Sequence, residues 1–330
     1  MVSIDNIPDL DIKYIRLNLY SKRIRKYILN NLFKYEKLTH FNCKMGNLSR
    51  LPSSLYLLKS LTHLDCSYNR ISEIGDLPNS LKNLFCNRNK IKKLDNLPNS
   101  LIELSCSRNK SIKLDNLPNT LKTLICNNCE LTKISNLPNS IEYLSIMSNK
   151  VKKLYNLPNS LFSLYCGYNK LTEISLPPLL NSFCCYNNQL IKILKLPDSL
   201  VYFSCPYNNF IYLPELPDTL HSLNCSHNKL LKLPDLPSSL KYLFWNDNCL
   251  ILNYEINEIN SNIINEIETI KIIKRINKIN LVDKIDKKMQ LLNRTLLLEW
   301  SARICLNPKR IERLLFSNQI SFYDDSFDTI

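Results

Sequence analysis

A 20-residue repeat spans residues 38–250 and constrains the fold more than any other feature of the sequence. Aligned on one Asn, the units follow the pattern LxxLxCxxNx[IL]xx[IL]xxLPx[ST], as in LKNLFCNRNKIKKLDNLPNS from Leu81. About eleven units are present; the first carries three extra residues, and the one near Pro177 is one residue short. A single unit of this length cannot bury its own apolar side chains, so neighbouring units must stack into a solenoid.

The first half of each unit predicts a short strand, because its apolar residues alternate with polar ones. One strand per unit gives a parallel sheet, and eleven strands about 4.8 Å apart make a sheet roughly 50 Å long. The second half ends in LPx[ST], with Pro in every complete unit. Proline fixes φ and removes a hydrogen-bond donor, so we expect an extended or polyproline-like outer side with few helices.

The pattern resembles the leucine-rich-repeat signature, with Cys in the third apolar position. Its length and terminal LP resemble the short repeats of bacterial leucine-rich-repeat effectors. They also resemble the leucine-rich and FNIP-type repeats of amoebae and their giant viruses. The resemblance implies an α/β repeat fold, a curved solenoid whose concave sheet binds a protein partner without catalysis or cofactor.

The flanks have a different composition, which predicts three regions: 1–37, 38–250 and 251–330. In the first region, a helix from about Ser21 to Tyr35 is expected to cap the first coil, with Ser21 as N-cap. In the last, Ile residues recur at three- and four-residue steps, the spacing of one helical face. These residues are Ile256, Ile259, Ile263, Ile267, Ile270 and Ile273. We expect a helical C-terminal cap or small module that ends in an acidic tail.

Composition excludes several classes of protein. Only 3 glycines are present, too few for a P-loop or a dinucleotide-binding turn. The 13 cysteines accompany no recognisable secretory signal, which favours reduced thiols and a cytoplasmic, intracellular location, with a host cell as one such setting. No apolar run approaches 18 residues, so no membrane-spanning helix is expected.

Two columns of the repeat have structural rather than chemical interpretations. The Asn column is expected to satisfy backbone groups left open at a turn, since an amide both donates and accepts. The Cys column is expected to fill the core, because a free Cys behaves as a small apolar residue and Ile146 and Trp245 occupy the same position. The Asn column comprises Asn69, Asn89, Asn109, Asn149, Asn169, Asn188, Asn208, Asn228 and Asn248, with exceptions at Gly46 and Cys129. The Cys column comprises Cys43, Cys66, Cys86, Cys106, Cys126, Cys166, Cys185, Cys205 and Cys225.

The remaining Cys and His residues give no convincing catalytic or metal site. Cys126 and Cys129 form a single C-x-x-C, with no second pair at zinc-finger distance. Cys184 is predicted to be an exposed thiol, because it alternates with the column residue Cys185. His221 and His227 are predicted to be surface residues without a matching carboxylate column. We therefore expect no catalytic residue, metal or cofactor.

Aromatic residues lie between the core columns and are candidates for partner binding. Exposed aromatic side chains on a sheet are typical anchors for protein partners, although aromatic residues also simply favour strands. The predicted concave-face site comprises Tyr68, Phe85, Tyr165, Tyr168, Tyr186, Tyr202, Tyr207, Tyr242 and Phe244.

A basic edge suggests an alternative function. The chain has a net charge of +14, and part of this excess follows the Asn column in two rows. Such rows could attract nucleic acid, anionic lipid or an acidic partner, although nucleic acid is disfavoured because no RNA-binding aromatic motif accompanies them. The rows are Arg70, Lys90, Lys110, Lys150, Lys170 and Lys229, and Lys93, Lys113, Lys133, Lys153, Lys192 and Lys232.

A second alternative is an adaptor or effector that links a target to the ubiquitin machinery through a flank. Cys305 lacks the Asp two residues later that marks the ubiquitin-ligase domain of some bacterial effectors, and the flank is too short for that domain. The expectation is therefore a monomeric, non-enzymatic protein with an unidentified protein partner.

Overall fold

A computed structural model describes residues 13–17 and 22–249. The strands are β1 Tyr14–Arg16, β2 His40–Asn42, β3 His63–Asp65, β4 Asn83–Phe85, β5 Glu103–Ser105, β6 Thr123–Ile125, β7 Tyr143–Ser145, β8 Lys153–Leu154, β9 Ser163–Tyr165, β10 Glu173–Ile174, β11 Ser182–Cys184, β12 Tyr202–Ser204, β13 Ser222–Asn224 and β14 Tyr242–Phe244. In this part of the chain the helices are α1, Lys22–Asn30, and two 3₁₀ segments, Leu32–Lys34 and Ser53–Leu57.

The main sheet is parallel and has twelve strands, in the order β1-β2-β3-β4-β5-β6-β7-β9-β11-β12-β13-β14. The central residue of each strand pairs in register with the central residue of the next, as Leu84 does with Leu104 and Leu104 with Leu124. These central side chains point into the core, so the first and third residues of each strand form the opposite, exposed face. The parallel solenoid with turns of about 20 residues is confirmed.

The N-terminal flank differs from the predicted helical cap. Its described part includes strand β1, in which Ile15 is buried and Tyr14 and Arg16 are exposed. The helix is shorter than expected and ends at Asn30. The side chain of the next residue, Asn31, donates a hydrogen bond to the Tyr27 carbonyl at 3.0 Å. That bond uses a carbonyl of the last turn, and Asn is a poor residue for a helix interior. Helical flanks are therefore not supported as predicted, and the predicted C-terminal helices lie outside the described residues.

One apolar core runs through the coils, with the same six positions of the repeat buried in each typical coil. In the coil of β4 these are Leu81, Leu84, Cys86, Ile91, Leu94 and Leu97. All nine members of the Cys column are buried, which confirms their role in core packing. Burial raises the pKa of these thiols, for example that of Cys225 to about 12.

The LPx[ST] segment forms a turn, so the prediction of an extended outer side is wrong at this point. The Pro98 carbonyl accepts a hydrogen bond from the Leu101 amide at 3.0 Å, and equivalent bonds recur along the solenoid. The hydroxyl of the Ser or Thr then reaches the preceding coil, as Ser100 Oγ donates to the Leu81 carbonyl at 2.7 Å. Hydroxyl groups therefore link successive coils at the turns that lead into the strands of the main sheet.

The outer side also contains short parallel pairing. Strands β8 and β10 pair across adjacent coils, and Lys93 forms an isolated parallel bridge with Lys113. The turn before LP often contains Asn with a positive φ, for example 56° at Asn96 and 57° at Asn116. Asn tolerates the left-handed conformation better than most residues. This explains why Asn recurs in the turn before LP, in addition to its recurrence in the Asn column.

The Asn column satisfies the backbone of two coils at once, as predicted. Asn109 is fully buried, and its Oδ1 accepts a hydrogen bond from the Ile91 amide at 3.0 Å. Its Nδ2 donates to the carbonyls of Cys86 and Cys106 at 3.0 and 2.8 Å. A buried polar group without a partner is costly, so each of these amides ties neighbouring coils together.

The exception at Cys129 is linked to a second exception in the coil before it. A thiol is a weak acceptor, and here Cys129 Sγ instead donates to the Cys106 carbonyl at 3.4 Å. The amide of Ser111, which would normally bond to the Asn side chain, donates to the Cys129 carbonyl at 2.9 Å. Ser111 adopts a φ of 60° and is exposed, and Ile112 is buried one position later. The two deviations from the repeat therefore compensate for each other.

Candidate functional site

The exposed face of the main sheet contains a long region without formal charge. We call this region the neutral face and define it by four positions in each coil of β6, β7, β9, β11, β12 and β13. The positions are the first and third strand residues and the two residues that follow the Cys column. Although charged residues make up 22% of the sequence, none of these positions carries Lys, Arg, Asp or Glu.

Tyr, Ser and Asn dominate the neutral face. Its residues are Thr123, Ile125, Asn127, Asn128, Tyr143, Ser145, Met147, Ser148, Ser163, Tyr165, Gly167, Tyr168, Ser182, Cys184, Tyr186, Asn187, Tyr202, Ser204, Pro206, Tyr207, Ser222, Asn224, Ser226 and His227. Strand β14 extends the face with Tyr242 and Phe244, beyond which Asp247 carries a charge.

The nine predicted aromatic residues lie in two kinds of position. Five are strand residues of the exposed face: Phe85, Tyr165, Tyr202, Tyr242 and Phe244. The other four, Tyr68, Tyr168, Tyr186 and Tyr207, follow the strands in the turn at their carboxyl ends. Tyr168, Tyr202, Tyr207, Tyr242 and Phe244 are exposed, and the others are half-buried. Tyr68 and Phe85 lie outside the neutral face, in coils that carry charges.

The aromatic rings contact one another across the coils. Tyr168 and Tyr186 meet edge to face with ring centroids 5.0 Å apart, and Tyr143 and Tyr165 are 5.3 Å apart. Tyr207 stacks on His227, with a centroid distance of 4.1 Å and an angle of 9° between the rings. Such contacts limit the rotamers of exposed side chains before a partner arrives.

Gly167 makes room for one of these rings. A Cβ atom added at Gly167 would lie only 2.7 Å from Cε1 of Tyr186 and 2.8 Å from its Cζ. Other coils place Ser67, Asn87, Ser107 or Met147 at this position. The glycine therefore lets the Tyr186 ring lie directly against the backbone of the preceding coil.

The N-terminal part of the exposed face is charged. Tyr68 is flanked by two cations, because Lys44 Nζ and the Arg88 guanidinium each lie 4.9 Å from its ring centroid. His40 and His63 stack in parallel with centroids 4.0 Å apart. Partial burial and the neighbouring His63 lower the pKa of His40. This part of the face therefore has a chemistry unlike that of the neutral face.

The histidine tautomers follow from the hydrogen bonds of two threonines. Thr39 and Thr62 each use their hydroxyl hydrogen to donate to a backbone carbonyl, of Lys13 at 3.0 Å and of Thr39 at 3.1 Å. Their Oγ1 atoms must then accept from Nδ1 of His40 at 2.9 Å and of His63 at 2.8 Å. Nε2 of each ring is left without the proton when the ring is neutral.

Two sequence predictions about single residues need correction. Cys184 is not an exposed thiol: it is half-buried, and burial raises its pKa, so it is a poor nucleophile. His227 does have a carboxylate neighbour, because its Nδ1 lies 3.1 Å from Oδ2 of Asp247. His221 uses Nδ1 to donate to the Thr219 carbonyl at 2.8 Å. Within the described ranges, no three His, Cys, Asp or Glu residues are grouped to hold a metal ion.

The basic rows are interrupted by acidic partners that their sequence pattern did not reveal. Glu130 replaces a basic residue in the first row and contacts both Lys110 at 3.9 Å and Lys150 at 3.3 Å. Lys153 pairs with Glu173 at 2.7 Å across β8 and β10. These ion pairs reduce the local positive charge, which weakens the case for a continuous site for a polyanion.

Sequence reasoning missed several residues that shape the exposed face. Tyr143 and Tyr14 are aromatic strand residues that were left out, although they follow the same alternation as Tyr165 and Tyr202. His40 and His63 occupy the same strand position in adjacent coils, so the repeat alignment alone could have revealed their pairing. The packing of Tyr186 on Gly167 had a weaker signal, a lone glycine in a chain with only 3.

Comparisons with known proteins give a structural but not a sequence match. No protein-family model matches the sequence, and no curated protein matches it. Among solved structures, YopM from Yersinia enterocolitica WA-314 is 34% identical, covers 66% of this chain and has a TM-score of 0.62. The match covers 48% of YopM, so this chain spans about half its length.

Two further structures support the same architecture. YopM from Yersinia pestis, described as a leucine-rich effector protein, is 25% identical over 64% of this chain and 72% of its own, with a TM-score of 0.52. The functional domain of InlJ from Listeria monocytogenes, described as including a cysteine ladder, is 26% identical over 67% of this chain and 56% of its own, with a TM-score of 0.54. In residues 13–17 and 22–249, no helix is long and apolar enough to cross a membrane. The chain is thus a parallel solenoid with turns of about 20 residues, and the solved structures that it resembles are leucine-rich-repeat proteins.

Proposed function

We propose that this protein is a non-enzymatic binding module whose neutral face holds a partner protein. The observation that carries the proposal is the absence of formal charge across six adjacent coils in a chain with a net charge of +14. Leucine-rich-repeat folds are generally protein-interaction modules, and solenoids present extended surfaces suited to that role. The proposed site retains Tyr165, Tyr168, Tyr186, Tyr202 and Tyr207, with Tyr242 and Phe244 at its end.

The residues of the neutral face suit recognition of a protein surface. Tyr gives large contact area with only two side-chain torsions, and Ser and Asn supply adaptable hydrogen bonds, the mixture found in antibody paratopes. The Tyr168–Tyr186 and Tyr207–His227 contacts restrain several rings in advance. Less side-chain entropy is then lost on binding, so more of the contact energy contributes to affinity.

The lack of charge also restricts the kind of partner. A charged group buried against this face would lose its hydration without gaining an opposite charge, which is unfavourable. We therefore expect a partner patch with an apolar or uncharged centre. Because exposed charges are screened by salt and this contact has none, binding should depend little on ionic strength.

The two alternatives have less support. Binding of nucleic acid or anionic lipid would use the basic rows, where Glu130 and Glu173 form ion pairs with the lysines. An adaptor that recruits the ubiquitin machinery would depend on the flanks, and residues 250–330 lie outside the described part of the chain. Neither alternative accounts for an uncharged exposed sheet.

The test uses substitutions that copy residues found at the same positions of other coils. Tyr168→Asn and Tyr207→Asn follow Asn128 and Asn187, which share their left-handed backbone, and Tyr202→Ser follows Ser182 and Ser222. The control, Tyr155→Ser, removes an exposed aromatic side chain away from the sheet and follows Ser135 and Ser175. Wild-type, triple-variant and control chains are immobilised and used to capture proteins from a cell lysate.

The expected result is a captured protein that is lost with the triple variant and retained with wild type and control. It should also stay bound when salt is raised from about 0.05 to about 0.5 M, because screening acts on charge contacts. Equal capture by the triple variant would overturn the proposed site. Elution by salt would instead favour the basic rows.

A further inference from the structure

The outer side of the solenoid changes character along its length. Two rows of mostly exposed residues lie there, at the third and sixth residues after the Asn column, and Pro214 and Leu231 among them are half-buried. In the middle coils both rows are polar or charged, with Lys92, Thr132, Lys152 and Thr172 in the first row and Asp95, Asp115, Ser135 and Ser175 in the second. Two residues of these coils depart from this pattern: Tyr155 in the second row is exposed, and Ile112 in the first row is buried beside the deviation at Ser111.

In the last coils the same rows become apolar. The first row continues as Ile191, Ile211 and Leu231, and the second as Leu194 and Pro214. We call these five residues and Tyr212 the outer apolar patch. Leu194 is 86% exposed and Ile191 57%, whereas the middle coils present charged or hydroxyl groups at these positions.

The patch is contiguous and separate from the neutral face. The Leu231 amide donates to the Ile211 carbonyl at 3.2 Å, and the Asn209 amide to the Leu190 carbonyl at 2.9 Å, so these coils lie side by side. A contiguous exposed apolar surface is uncommon unless something covers it. Scattered exposed apolar residues need no explanation, but a change in two whole rows does.

The following sequence supplies a segment with matching properties. Its Ile stripe begins at Ile256, seven residues after Cys249, the last described residue of the final coil. Seven residues reach about 23 Å when extended, and the coil of Cys249 lies one to three coils from those of the patch, about 5–14 Å along the stack. The stripe can therefore begin at the patch.

Charge also matches between the segment and the rim of the patch. Lys192 and Lys232 lie next to the apolar rows, at the fourth residue after the Asn column, and both are exposed. Glu255, Glu258, Glu266 and Glu268 alternate with the Ile residues of the segment.

We propose that residues 256–273 pack in cis on the outer apolar patch, through the stripe of Ile side chains. The contact leaves the neutral face free for a partner. It also gives the segment a place along the side of the last coils rather than only at the end of the solenoid. This inference does not depend on the proposed function.

Photo-crosslinking in the full chain tests the contact. Leu194→p-benzoyl-phenylalanine places a light-activated group in the patch, and Tyr155→p-benzoyl-phenylalanine places the same group in the same row of a polar coil. After irradiation, the crosslinked peptides are identified by mass spectrometry. Mixing isotope-labelled and unlabelled chains separates crosslinks within one chain from crosslinks between copies.

The expected result is an intrachain crosslink from position 194 to residues 256–273, and none to that segment from position 155. Ile263→Asp with Ile267→Asp should remove it, while the control pair Asn257→Asp with Asn265→Asp, off the stripe, should retain it. A milder variant, Glu258→Lys with Glu266→Lys, should reduce the yield while leaving the Ile residues in place. Crosslinks between copies, or none from position 194, would overturn the proposal.

Discussion

Asn109 is the residue whose removal should disturb the solenoid most clearly. It is fully buried and lies in the middle of the stack. Asn109→Ala removes the acceptor for the Ile91 amide and the donors for the Cys86 and Cys106 carbonyls. All three bonds are buried inside the stack of coils, so water has no direct access to the backbone groups.

The expected loss of stability follows from these three bonds. A typical hydrogen bond contributes about 1 kcal/mol net, but a buried group left without a partner costs about 1–3 kcal/mol. Relaxation of the surrounding structure reduces this cost, whereas the small cavity left by the side chain adds to it. We therefore expect the free energy of unfolding to fall by about 3–5 kcal/mol. That is a large part of the about 5–15 kcal/mol that stabilises a typical domain.

Urea denaturation followed by circular dichroism measures the change, with Asn119→Ala as control. Asn119 is exposed in the LPx[ST] turn of the same coil, so its loss should alter stability by no more than about 0.5 kcal/mol. Hydrogen exchange should show the greatest loss of protection near residues 86–109, since coils contact only their neighbours. A loss below about 1 kcal/mol for Asn109→Ala would refute this account of the Asn column.

Three further predictions concern single positions. Leu179 is exposed and occupies the position that Ser or Thr holds in the other LPx[ST] turns. Leu179→Ser should add a hydrogen bond to the Leu161 carbonyl and raise the free energy of unfolding by about 1 kcal/mol, as measured by urea denaturation. An unchanged urea midpoint would contradict the stabilising role of these hydroxyl groups. Gly167→Ala should displace the Tyr186 ring and lower the free energy of unfolding by about 1–3 kcal/mol. The near-ultraviolet circular dichroism spectrum should change as well. A spectrum like that of the wild-type chain would show that the position of the ring does not depend on Gly167. Folding lowers the pKa of His40, so the unfolded chain binds a proton at a higher pH than the folded chain. The free energy of unfolding should therefore decrease below about pH 6.5, and it should decrease less in His40→Asn. Thermal unfolding at about pH 7.5 and about pH 5.5 measures the difference. Equal slopes for the two chains would exclude that role for His40.

The repeat made the solenoid predictable because each coil restates the same pattern. The strand positions, the buried Cys column and the bonding role of the Asn column all follow from alternation and from the chemistry of an amide. What escaped prediction depends on contacts between coils. The Ser100 hydroxyl bonds to Leu81, in the preceding coil, and a single unit gives no sign of that partner.

The local errors have the same physical origin. Cys184 was expected to be exposed from its alternation with Cys185, but neighbouring side chains half-bury it. Glu130 was hidden in the basic row, where only its distances to Lys110 and Lys150 reveal the ion pairs. Strand β1 was missed because its three residues precede the first recognisable unit. The neutral face itself could have been read from the aligned units by counting charges at the exposed positions.

The most direct test of the binding proposal is the affinity of the captured partner, measured by calorimetry at several salt concentrations. We predict that the dissociation constant changes less than about threefold between 0.05 and 0.5 M salt, because no charged residue lies on the neutral face. We also predict that Tyr202→Ser raises the dissociation constant at least about tenfold, which corresponds to about 1.4 kcal/mol of binding free energy, as expected for an aromatic anchor. An affinity that falls steeply with salt and is indifferent to Tyr202 would contradict the account and place the partner on the basic rows.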